Sequence, residues 1–442
     1  GAVLPAEIEQ QIQDELARIP VEEPNTTEKA VNNWICVGPS GMQTPSGALY
    51  SGRVLDITIL PLSGPTIAAA SGGLWQYSML SPEALTEDVT SQWIGSVARD
   101  PDNPDTILIG TGEFWIRNGT GLWKSTDGGA TWRHIPMNPA PRSFFRIRWG
   151  SDGHTVHAVT RDGYYRSTDE GETWTQIQFD DVVTDIVVVP SPPETGEPDV
   201  LYLTRWDEGL YVSVDAGLFW GKAENAVIPT SDVTRGAVTV CAADPGVIYV
   251  AFTHYETITV GDEVKTVHRM KGIYRTTDYG FTWIDVSPPS NYMKNQGWYN
   301  NVIAVSPTDP MVVFAGGVSL LRSTDGGSSW QTVSDPHLHV DYHALLWSPD
   351  GQGIWAGHDG GWSYSNDVGS DGSWTSGTNY LPITQYTGFD AQGLDWASVS
   401  LVGGSQDNGI STTYDGGATW DFVQSGDGGG IQFGFHNNTE LW

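Results

Sequence analysis

Lysine and cysteine are scarce in this 442-residue sequence. It contains six Lys and two Cys, and the 21 Lys and Arg face 53 Asp and Glu, which gives a formal net charge of −32. Such a charge repels a phosphate backbone and no basic stripe is present, so a nucleic-acid partner is not expected. Cys36 and Cys241 are too few for a disulfide scaffold or a cysteine-based zinc site.

Long apolar stretches are missing as well. No run of 18 apolar residues occurs, so we expect no membrane-spanning segment. The first residues, GAVLPAEIEQ, have neither the charged nor the apolar region of a signal peptide, so we expect an export signal to be absent or already removed. Because a large net charge maintains solubility, the acidic composition favours a secreted protein.

Turn-forming and aromatic residues are abundant. The 53 Gly and 26 Pro indicate many tight turns, and the 20 Trp and 17 Tyr favour pleated, half-buried surfaces. The composition therefore predicts a β-rich fold.

A short repeat defines that fold. Seven segments begin with Ser or Thr, carry Asp at their third position and end in Trp: Ser125–Trp132, Ser167–Trp174, Ser213–Trp220, Thr276–Trp283, Ser323–Trp330, Ser365–Trp374 and Thr413–Trp420. The Asp residues lie mostly 42 to 48 positions apart, the period of one four-stranded propeller blade. Apolar first strands are expected at 53–60, 94–99, 144–149, 183–189, 235–242, 299–305, 343–347 and 386–390. The sequence predicts an all-β propeller of seven to nine antiparallel blades, with eight favoured.

The two ends of the chain lie outside this repeat. Ile8, Ile12 and Leu16 have helical spacing, so residues 1–33 are predicted to form a short helix and a linker. The propeller is assigned to residues 34–442, either as a whole or as part of a longer protein.

The repeated aspartates are interpreted as structural. An Asp side chain accepts hydrogen bonds from the backbone of its own turn, and Gly permits the positive φ that such turns need. Catalysis and calcium binding are the alternatives, but a catalytic centre does not recur once per blade.

Strand order separates the loops into two faces, with the Asp turns on one and the unusual polar residues on the other. His337, His339, Asp341 and His343 alternate, so an extended strand would place them on one side. Three readings of this segment stay open: a divalent metal site, catalysis or substrate contact, and a structural polar network. His358 and Asp359 follow in the same unit and add acid–base groups.

Other candidates share that face. Glu113 with Trp115 and Arg117 combines a carboxylate, an aromatic ring and a guanidinium, as sugar sites do; the alternative is a solvated loop with a packed Trp. Two carboxylates about 5–10 Å apart can cleave a glycosidic bond. The candidate catalytic residues are Glu113, Asp341, Asp407 and Asp427. The candidate substrate-binding residues are Trp115, Arg117, Trp206, Trp298, Tyr299, His339, His343, His358, Asp359 and Gln406.

The repeated turns resemble the Asp-box (BNR) repeats of sialidases, sortilins and xyloglucan-cleaving hydrolases. A closer resemblance is to large secreted bacterial Asp-box proteins labelled as glycosyl hydrolases or sortilin-like. It is carried by GWYN (297–300), RSTDGGSSW (322–330), HVDYHAL (339–345), DGG (359–361), ITQY (383–386), QDNG (406–409) and GDGG (426–429). The resemblance implies an exported propeller. The catalytic Asp-Val-Gly-Gly segment of the xyloglucan enzymes has no match near the N-terminus.

Three functions are consistent with these observations. The first is a secreted, carbohydrate-active propeller that hydrolyses a polysaccharide with carboxylates on the loop face, without a required cofactor. The second is a sortilin-like propeller that binds a peptide or a partner protein. The third is a structural domain of a surface assembly whose loops bind divalent ions. A tight pair of carboxylates in a cleft would favour hydrolysis over binding.

The sequence also contains Phe145-Arg146-Ile147-Arg148, which is faintly similar to the arginine motif that opens sialidases. It lies inside the third unit rather than before the first, and no arginine triad is evident from the sequence.

Overall fold

A computed structural model describes residues 38–45, 47–60, 64–77, 82–191, 195–393 and 399–433. All regular structure in these ranges is β-strand, in eight four-stranded antiparallel sheets and one two-stranded sheet of β1 (Met42–Gln43) and β2 (Leu49–Tyr50). The described residues contain no helix with the length and apolar character needed to cross a membrane. The predicted N-terminal helix and the boundary at residue 33 lie outside the described residues.

The strands of each four-stranded sheet follow one another in sequence. Sheets 1 to 4 consist of β3 to β6 (Val54–Leu60, Gly64–Ala69, Leu74–Tyr77, Pro82–Ala84), β7 to β10 (Ile94–Arg99, Ile107–Thr111, Leu122–Ser125, Arg133–Ile135), β11 to β14 (Phe144–Trp149, Val156–Thr160, Gly163–Ser167, Thr175–Gln176) and β15 to β18 (Val183–Val189, Val200–Arg205, Gly209–Ser213, Gly221–Lys222).

Sheets 5 to 8 have the same order. They consist of β19 to β22 (Gly236–Val240, Ile248–Val260, Glu263–Thr276, Ile284–Asp285), β23 to β26 (Val302–Val305, Val313–Gly316, Leu320–Ser323, Gln331–Thr332), β27 to β30 (Tyr342–Trp347, Ile354–His358, Gly361–Ser365, Trp374–Ser376) and β31 to β34 (Tyr386–Gln392, Ser400–Ser405, Gly409–Thr413, Asp421–Gln424). The eight first strands lie where the sequence predicted them, within three residues at either end. Residues 254–270 lengthen the fifth unit of the repeat and extend the paired strands β20 and β21.

Seven of the sheets form a closed ring. Seven buried apolar clusters occupy the spaces between sheets 1 and 2, 2 and 3, and so on to 6 and 7, and finally between 7 and 1. The closing cluster joins Val54 and Ile67 of sheet 1 to Ala344 and Trp362 of sheet 7. The all-β propeller is thus confirmed, whereas the favoured eight-bladed ring differs from the observed contacts.

Sheet 8 lies outside the ring. Its strands are absent from the seven clusters, although it has the same strand order and the same repeated turn as the ring sheets. The sequence repeat specifies a four-stranded unit, but the contact between β27 and β3 determines where the ring closes. An eighth unit is therefore compatible with a ring of seven.

The repeated turns have a common hydrogen-bond pattern. The carboxylate of Asp127 accepts bonds from the hydroxyl of Ser125 at 2.8 Å and from the backbone N–H and hydroxyl of Thr131 at 2.9 and 2.6 Å. Asp169, Asp278, Asp325 and Asp415 make the equivalent bonds. The hydroxyl of Thr131 is the main cause that lowers the pKa of Asp127. Both oxygens of these carboxylates are occupied by their own turns.

A test of ring closure compares two tryptophans. Trp362, 4% exposed, lies in the cluster between sheets 7 and 1, and Trp220, 1% exposed, lies between sheets 3 and 4. Because removal of a buried Trp side chain leaves a cavity, we expect both Trp362→Ala and Trp220→Ala to lower the free energy of unfolding by about 3–5 kcal/mol. Urea unfolding followed by far-UV circular dichroism measures both. A loss below about 1 kcal/mol for Trp362→Ala alone would mean that sheets 7 and 1 do not pack together.

Candidate functional site

One arginine holds three carboxylates where four segments of the chain meet. Arg53 immediately precedes β3, and its side chain is 5% exposed. Its Nε donates to Asp359 Oδ1 at 2.8 Å, its Nη1 to Glu113 Oε1 at 2.5 Å and its Nη2 to Asp407 Oδ2 at 2.9 Å. Each guanidinium nitrogen therefore contacts a different carboxylate, which requires the rigid fork of arginine. Arg53, Glu113, Asp359 and Asp407 are referred to below as the arginine cluster.

Strand order explains how these side chains meet. Glu113, Asp359 and Asp407 follow β8, β28 and β32, so each lies between the second and third strands of its sheet. In an antiparallel sheet, that connection and the entry to the first strand lie at the same edge. Arg53 enters β3 at this edge, and the four hydrogen-bonded residues define the site face of the ring.

Asp359 is the most enclosed acid of the cluster. It is 2% exposed, and His343 Nε2 lies 2.6 Å from its Oδ1. Burial alone raises the pKa of a carboxyl, but His343 and Arg53 outweigh burial and hold the pKa of Asp359 below its ordinary value. The Tyr299 ring covers the other side, with its centroid 4.9 Å from the Arg53 guanidinium carbon and 4.7 Å from the His343 ring centroid. Asp359 is thus a permanent negative charge inside the site.

The pKa of Asp407 is shifted upward, in the direction opposite to that of Asp359. Burial, the charge of Asp359 and a hydrogen bond to that carboxylate raise the pKa of Asp407 to about 7, and Arg53 only partly offsets this. Its side chain remains 24% exposed. Its backbone N–H donates to Asp427 Oδ1 at 3.1 Å. Asp407 therefore titrates near neutral pH and still reaches solvent.

A cavity of about 360 Å³ lies between the ring and sheet 8. Its wall on the ring side includes Tyr50, His339, Val340 and Asp341, and its wall on the sheet 8 side includes Asp407, Asn408, Phe422, Ser425, Gly426 and Asp427. Ligand-binding cavities usually enclose about 300–1,000 Å³. Three predicted catalytic carboxylates therefore line one cavity of suitable size, and the fourth, Glu113, is 1% exposed and paired with Arg53.

Asp341, in the segment before β27, lines the same cavity as Asp407. Its Oδ1 accepts hydrogen bonds from Gln296 Nε2 at 3.0 Å and from Asn300 Nδ2 at 2.5 Å. Burial and the charge of Asp359 raise its pKa, while the bond from Gln296 lowers it. Asp341 and Asp407 have φ values of 66° and 64°, a region that non-glycine residues seldom occupy and that is enriched at functional sites.

The histidine segment is not the single extended strand that its alternation predicts. Strand β27 begins at Tyr342, and Asp341 has a left-handed backbone, so the side chains diverge. His337 contacts Asp335 at 3.0 Å, His339 packs edge-on against Tyr50, and His343 joins Asp359. The left-handed backbone at Asp341 interrupts the alternation, and the three imidazoles have different partners.

His358 is a structural histidine in this arrangement. It is 1% exposed, its Nε2 lies 3.0 Å from Ser363 Oγ, and burial lowers its pKa well below the ordinary value. Within the described ranges no group of three or more His, Cys, Asp or Glu side chains has the arrangement of a metal site.

Aromatic side chains extend along the site face from Glu113. The ring centroids of Trp115 and Trp206 are 6.0 Å apart, and Trp206 lies 6.5 Å from Tyr255 and 5.6 Å from His268. Trp115 is 40% and Tyr255 44% exposed. We call Trp115, Trp206, Tyr255 and His268 the aromatic row; Arg161 covers one side of Trp115 with its guanidinium carbon 4.0 Å from the ring centroid.

The remaining predicted residues lie apart from the cavity lining. Arg117 packs over Trp93, 5.2 Å from the ring centroid. Trp298 lies beside Tyr299, with 5.2 Å between ring centroids, and Gln406 is half-buried with its backbone N–H bonded to Gln385.

Several site residues were missed by the sequence analysis. Arg53 was read only as the first residue of an apolar strand, and the amides of Gln296, Asn300 and Asn408 were not singled out as ligands of the acids. Asn408 donates to the backbone oxygen of Asp359 at 2.9 Å and so ties sheet 8 to sheet 7. A lone basic residue at the start of a buried strand, in a chain so rich in acids, was the available signal for Arg53.

Comparison with known proteins gives distant similarity to one class of enzyme. No protein-family model matches the chain. A xyloglucanase from Hypocrea jecorina is 23% identical over 86% of this chain and 54% of its own length, and the xyloglucanase Xgh74A from Acetivibrio thermocellus is 25% identical over 43% of this chain and 19% of its own length. The chain thus spans about half or less of these curated relatives.

Solved structures show the same fold at low sequence identity. The GH74 xyloglucanase from Xanthomonas campestris has a TM-score of 0.63 at 16% identity, over 87% of this chain and 70% of its own. The GH74 enzyme from Niastella koreensis has a TM-score of 0.62 at 15% identity, over 89% of this chain and 70% of its own. These neighbours share the propeller architecture of the chain.

Proposed function

We propose that this chain is the propeller of an exported glycoside hydrolase that cleaves a polysaccharide in the cavity between the ring and sheet 8. The observation that carries the proposal is Asp407: a partly exposed carboxyl with a pKa of about 7, next to permanently charged groups and inside a cavity. A general acid works best when its pKa lies near the operating pH. Asp407 is the acid that donates a proton to the leaving oxygen.

The second carboxylate is Asp341. A glycosidase uses one acid and one ionised carboxylate on either side of the scissile bond. Asp341 lines the same cavity, and its Oδ1 accepts hydrogen bonds from the side-chain amides of Gln296 and Asn300. Asp427 fixes the backbone of Asp407, while Glu113 and Asp359 hold Arg53 and so set the charge around Asp407.

The substrate class is a neutral β-glucan such as xyloglucan. The relatives' names supply this class, and the aromatic row supports it because flat apolar rings stack on sugar faces while hydrogen-bonding groups orient them. Polymeric plant glucans are extracellular, and an acidic, lysine-poor chain suits the same location, so we propose export as well. No observation in the described residues specifically favours a sortilin-like peptide site.

Asp407→Asn tests the acid. The amide keeps the shape and cannot donate the proton, so kcat on xyloglucan should fall by about 10²–10⁴-fold. Asp421→Asn, on exposed residue 421 of the same sheet, is the matched control and should retain activity. Reducing-end release measures both. Full activity of Asp407→Asn, or binding of xyloglucan without any cleavage by the unmodified chain, would contradict the proposal.

The pH profile gives an independent test. Asp407 is protonated below its pKa of about 7 and ionised above it, so kcat should decrease as pH rises through about 7. A carboxyl whose pKa rises on folding also stabilises the folded chain fully below its unfolded pKa of about 4, and this contribution is lost as pH rises through 7. Rates between pH 5 and 9 measure the first effect. A constant rate over that range would exclude Asp407 as the acid.

Trp206→Ala tests the aromatic row. Loss of one stacking ring should raise KM for polymeric xyloglucan by roughly tenfold, the equivalent of about 1.4 kcal/mol, with little change in kcat. Hydrolysis of a short aryl glycoside, which ends before the row, should remain unchanged and serves as the control. Equal effects on both substrates would place Trp206 outside the binding surface.

A further inference from the structure

Three arginines line the inside of the ring, and among the described residues none of them donates a hydrogen bond to a carboxylate. Arg146 and Arg148 are two residues apart on β11, so their side chains leave the same side of the strand, and Arg235 immediately precedes β19. Arg146 Nε lies 3.7 Å from Asp185 Oδ1. In the described part of the chain, no carboxylate oxygen lies within 4.0 Å of the guanidinium of Arg148 or Arg235.

The hydrogen bonds of these guanidinium groups go to backbone carbonyls instead. Arg146 donates to Phe145 O at 2.8 Å and to His343 O at 3.2 Å, and Arg148 donates to Ile147 O at 3.0 Å. Arg235 donates to Tyr299 O, and its Nε is buried without a partner among the described residues. Carbonyls satisfy N–H groups but leave the positive charge uncompensated.

The two acids inside the ring are already engaged. Asp56 accepts hydrogen bonds from Ile57 N and Val97 N, both at 3.1 Å, and from Ser96 Oγ at 2.8 Å. Asp185 accepts from Ile186 N at 2.9 Å and from Val238 N at 3.0 Å. Each acid therefore links the first strand of its own sheet to that of the next sheet, and Asp185 also makes the 3.7 Å contact with Arg146.

A cavity of about 260 Å³ lies beside these groups in the ring interior. Arg146, Arg148, Asp56 and Asp185 line it together with aliphatic side chains such as Val240 and Leu346. From the two forked guanidinium groups, the space beside them and hydrogen bonds that go only to backbone carbonyls among the described residues, we propose that the ring interior binds a small carboxylate, of monosaccharide size or less, through Arg146 and Arg148. This site is separate from the cavity at Asp407 and does not depend on the proposed hydrolase function.

Electrostatics supports this site. Burial lowers the pKa of Arg148, and the attraction of Asp56 and Asp185 does not outweigh burial and the charge of Arg146. Burial and Arg146 likewise lower the pKa of Arg235 to about 9, although Asp185 and Tyr299 raise it. The acids inside the ring therefore compensate these positive charges only in part. A carboxylate that accepts two parallel N–H bonds would compensate the rest with the geometry that arginine favours.

The carboxylate has two plausible sources: a free small acid and a uronic acid, which carries the same group on a sugar ring. The probes are sodium acetate and sodium glucuronate, with glucose as the uncharged counterpart and sodium chloride used to keep the ionic strength constant. A ligand that binds only the folded chain raises its melting temperature with saturation. We expect saturable stabilisation by acetate or glucuronate and none by glucose; the preferred salt identifies the source.

Arg148→Met is the decisive variant, because it keeps the length of the side chain and removes the charge. The dissociation constant of the effective carboxylate, measured by isothermal titration calorimetry, should rise at least tenfold, equivalent to about 1.4 kcal/mol. Arg133→Met removes the same charge from the outer strand β10 and should leave binding unchanged. Because Arg148 lacks an acidic partner, Arg148→Met without ligand should melt no earlier than the unmodified chain.

Two results would overturn the proposal. One is the absence of saturable binding of either carboxylate to the unmodified chain, including a response that chloride reproduces. The other is equal affinity of Arg148→Met and the unmodified chain. If Arg148→Met does not fold, Arg148→Lys decides: it retains a charge but loses the fork, so the dissociation constant should still rise roughly three- to tenfold, and an unchanged value counts against the site.

Discussion

The arrangement of the site depends on one buried guanidinium. Arg53 connects sheet 1 to sheets 2, 7 and 8 by ion pairs, because its three guanidinium nitrogens donate separately to Glu113, Asp359 and Asp407. Without this cation, three carboxylates would share a buried volume and repel one another. Sheet 8 lies outside the seven apolar clusters, and Arg53 and Asn408 join it to the ring by hydrogen bonds. Its outer strand β34 also contacts β1. These polar contacts lie beside the cavity that Asp341 and Asp407 line.

Arg53 contacts two carboxyl groups, Asp359 and Asp407, whose pKa values are shifted in opposite directions. Asp359 is enclosed by Arg53 and His343 and remains ionised, whereas Asp407 contacts Arg53 at the rim and is dominated by burial and by the charge of Asp359. Two carboxyls on one arginine thus have pKa values on opposite sides of the ordinary one. Environments that separate the pKa values of neighbouring acids distinguish a proton donor from a fixed charge, and sequence position carries no such information.

Much of the fold was predictable because each blade repeats the same local chemistry. The apolar patterns predicted the positions of the eight first strands within three residues, and strand order placed Glu113, Asp359 and Asp407 in loops of one face. Ring closure was not predictable, since sheet 8 has the same repeat as the others and only the packing of Trp362 against sheet 1 distinguishes sheet 7 as the last blade. The histidine alternation failed at Asp341, where a left-handed residue ends the extended geometry that alternation assumes. The role of Arg53 was not predictable from the local sequence, because Glu113, Asp359 and Asp407 are 60, 306 and 354 residues away along the chain.

Arg53 and Arg235 show why position in a propeller matters more than residue type. Each immediately precedes the first strand of its sheet, yet Arg53 has three acidic partners and Arg235 has backbone carbonyls. Connections between second and third strands lie at the site face, so their carboxylates reach an arginine at the rim but not those deeper in the ring. Inside, only strand residues face the axis, and the acids among them, Asp56 and Asp185, are used to join one sheet to the next. In an acidic chain of net charge −32, the ring interior therefore holds three arginines, Arg146, Arg148 and Arg235, beside two aspartates, and strand position rather than composition determines that ratio.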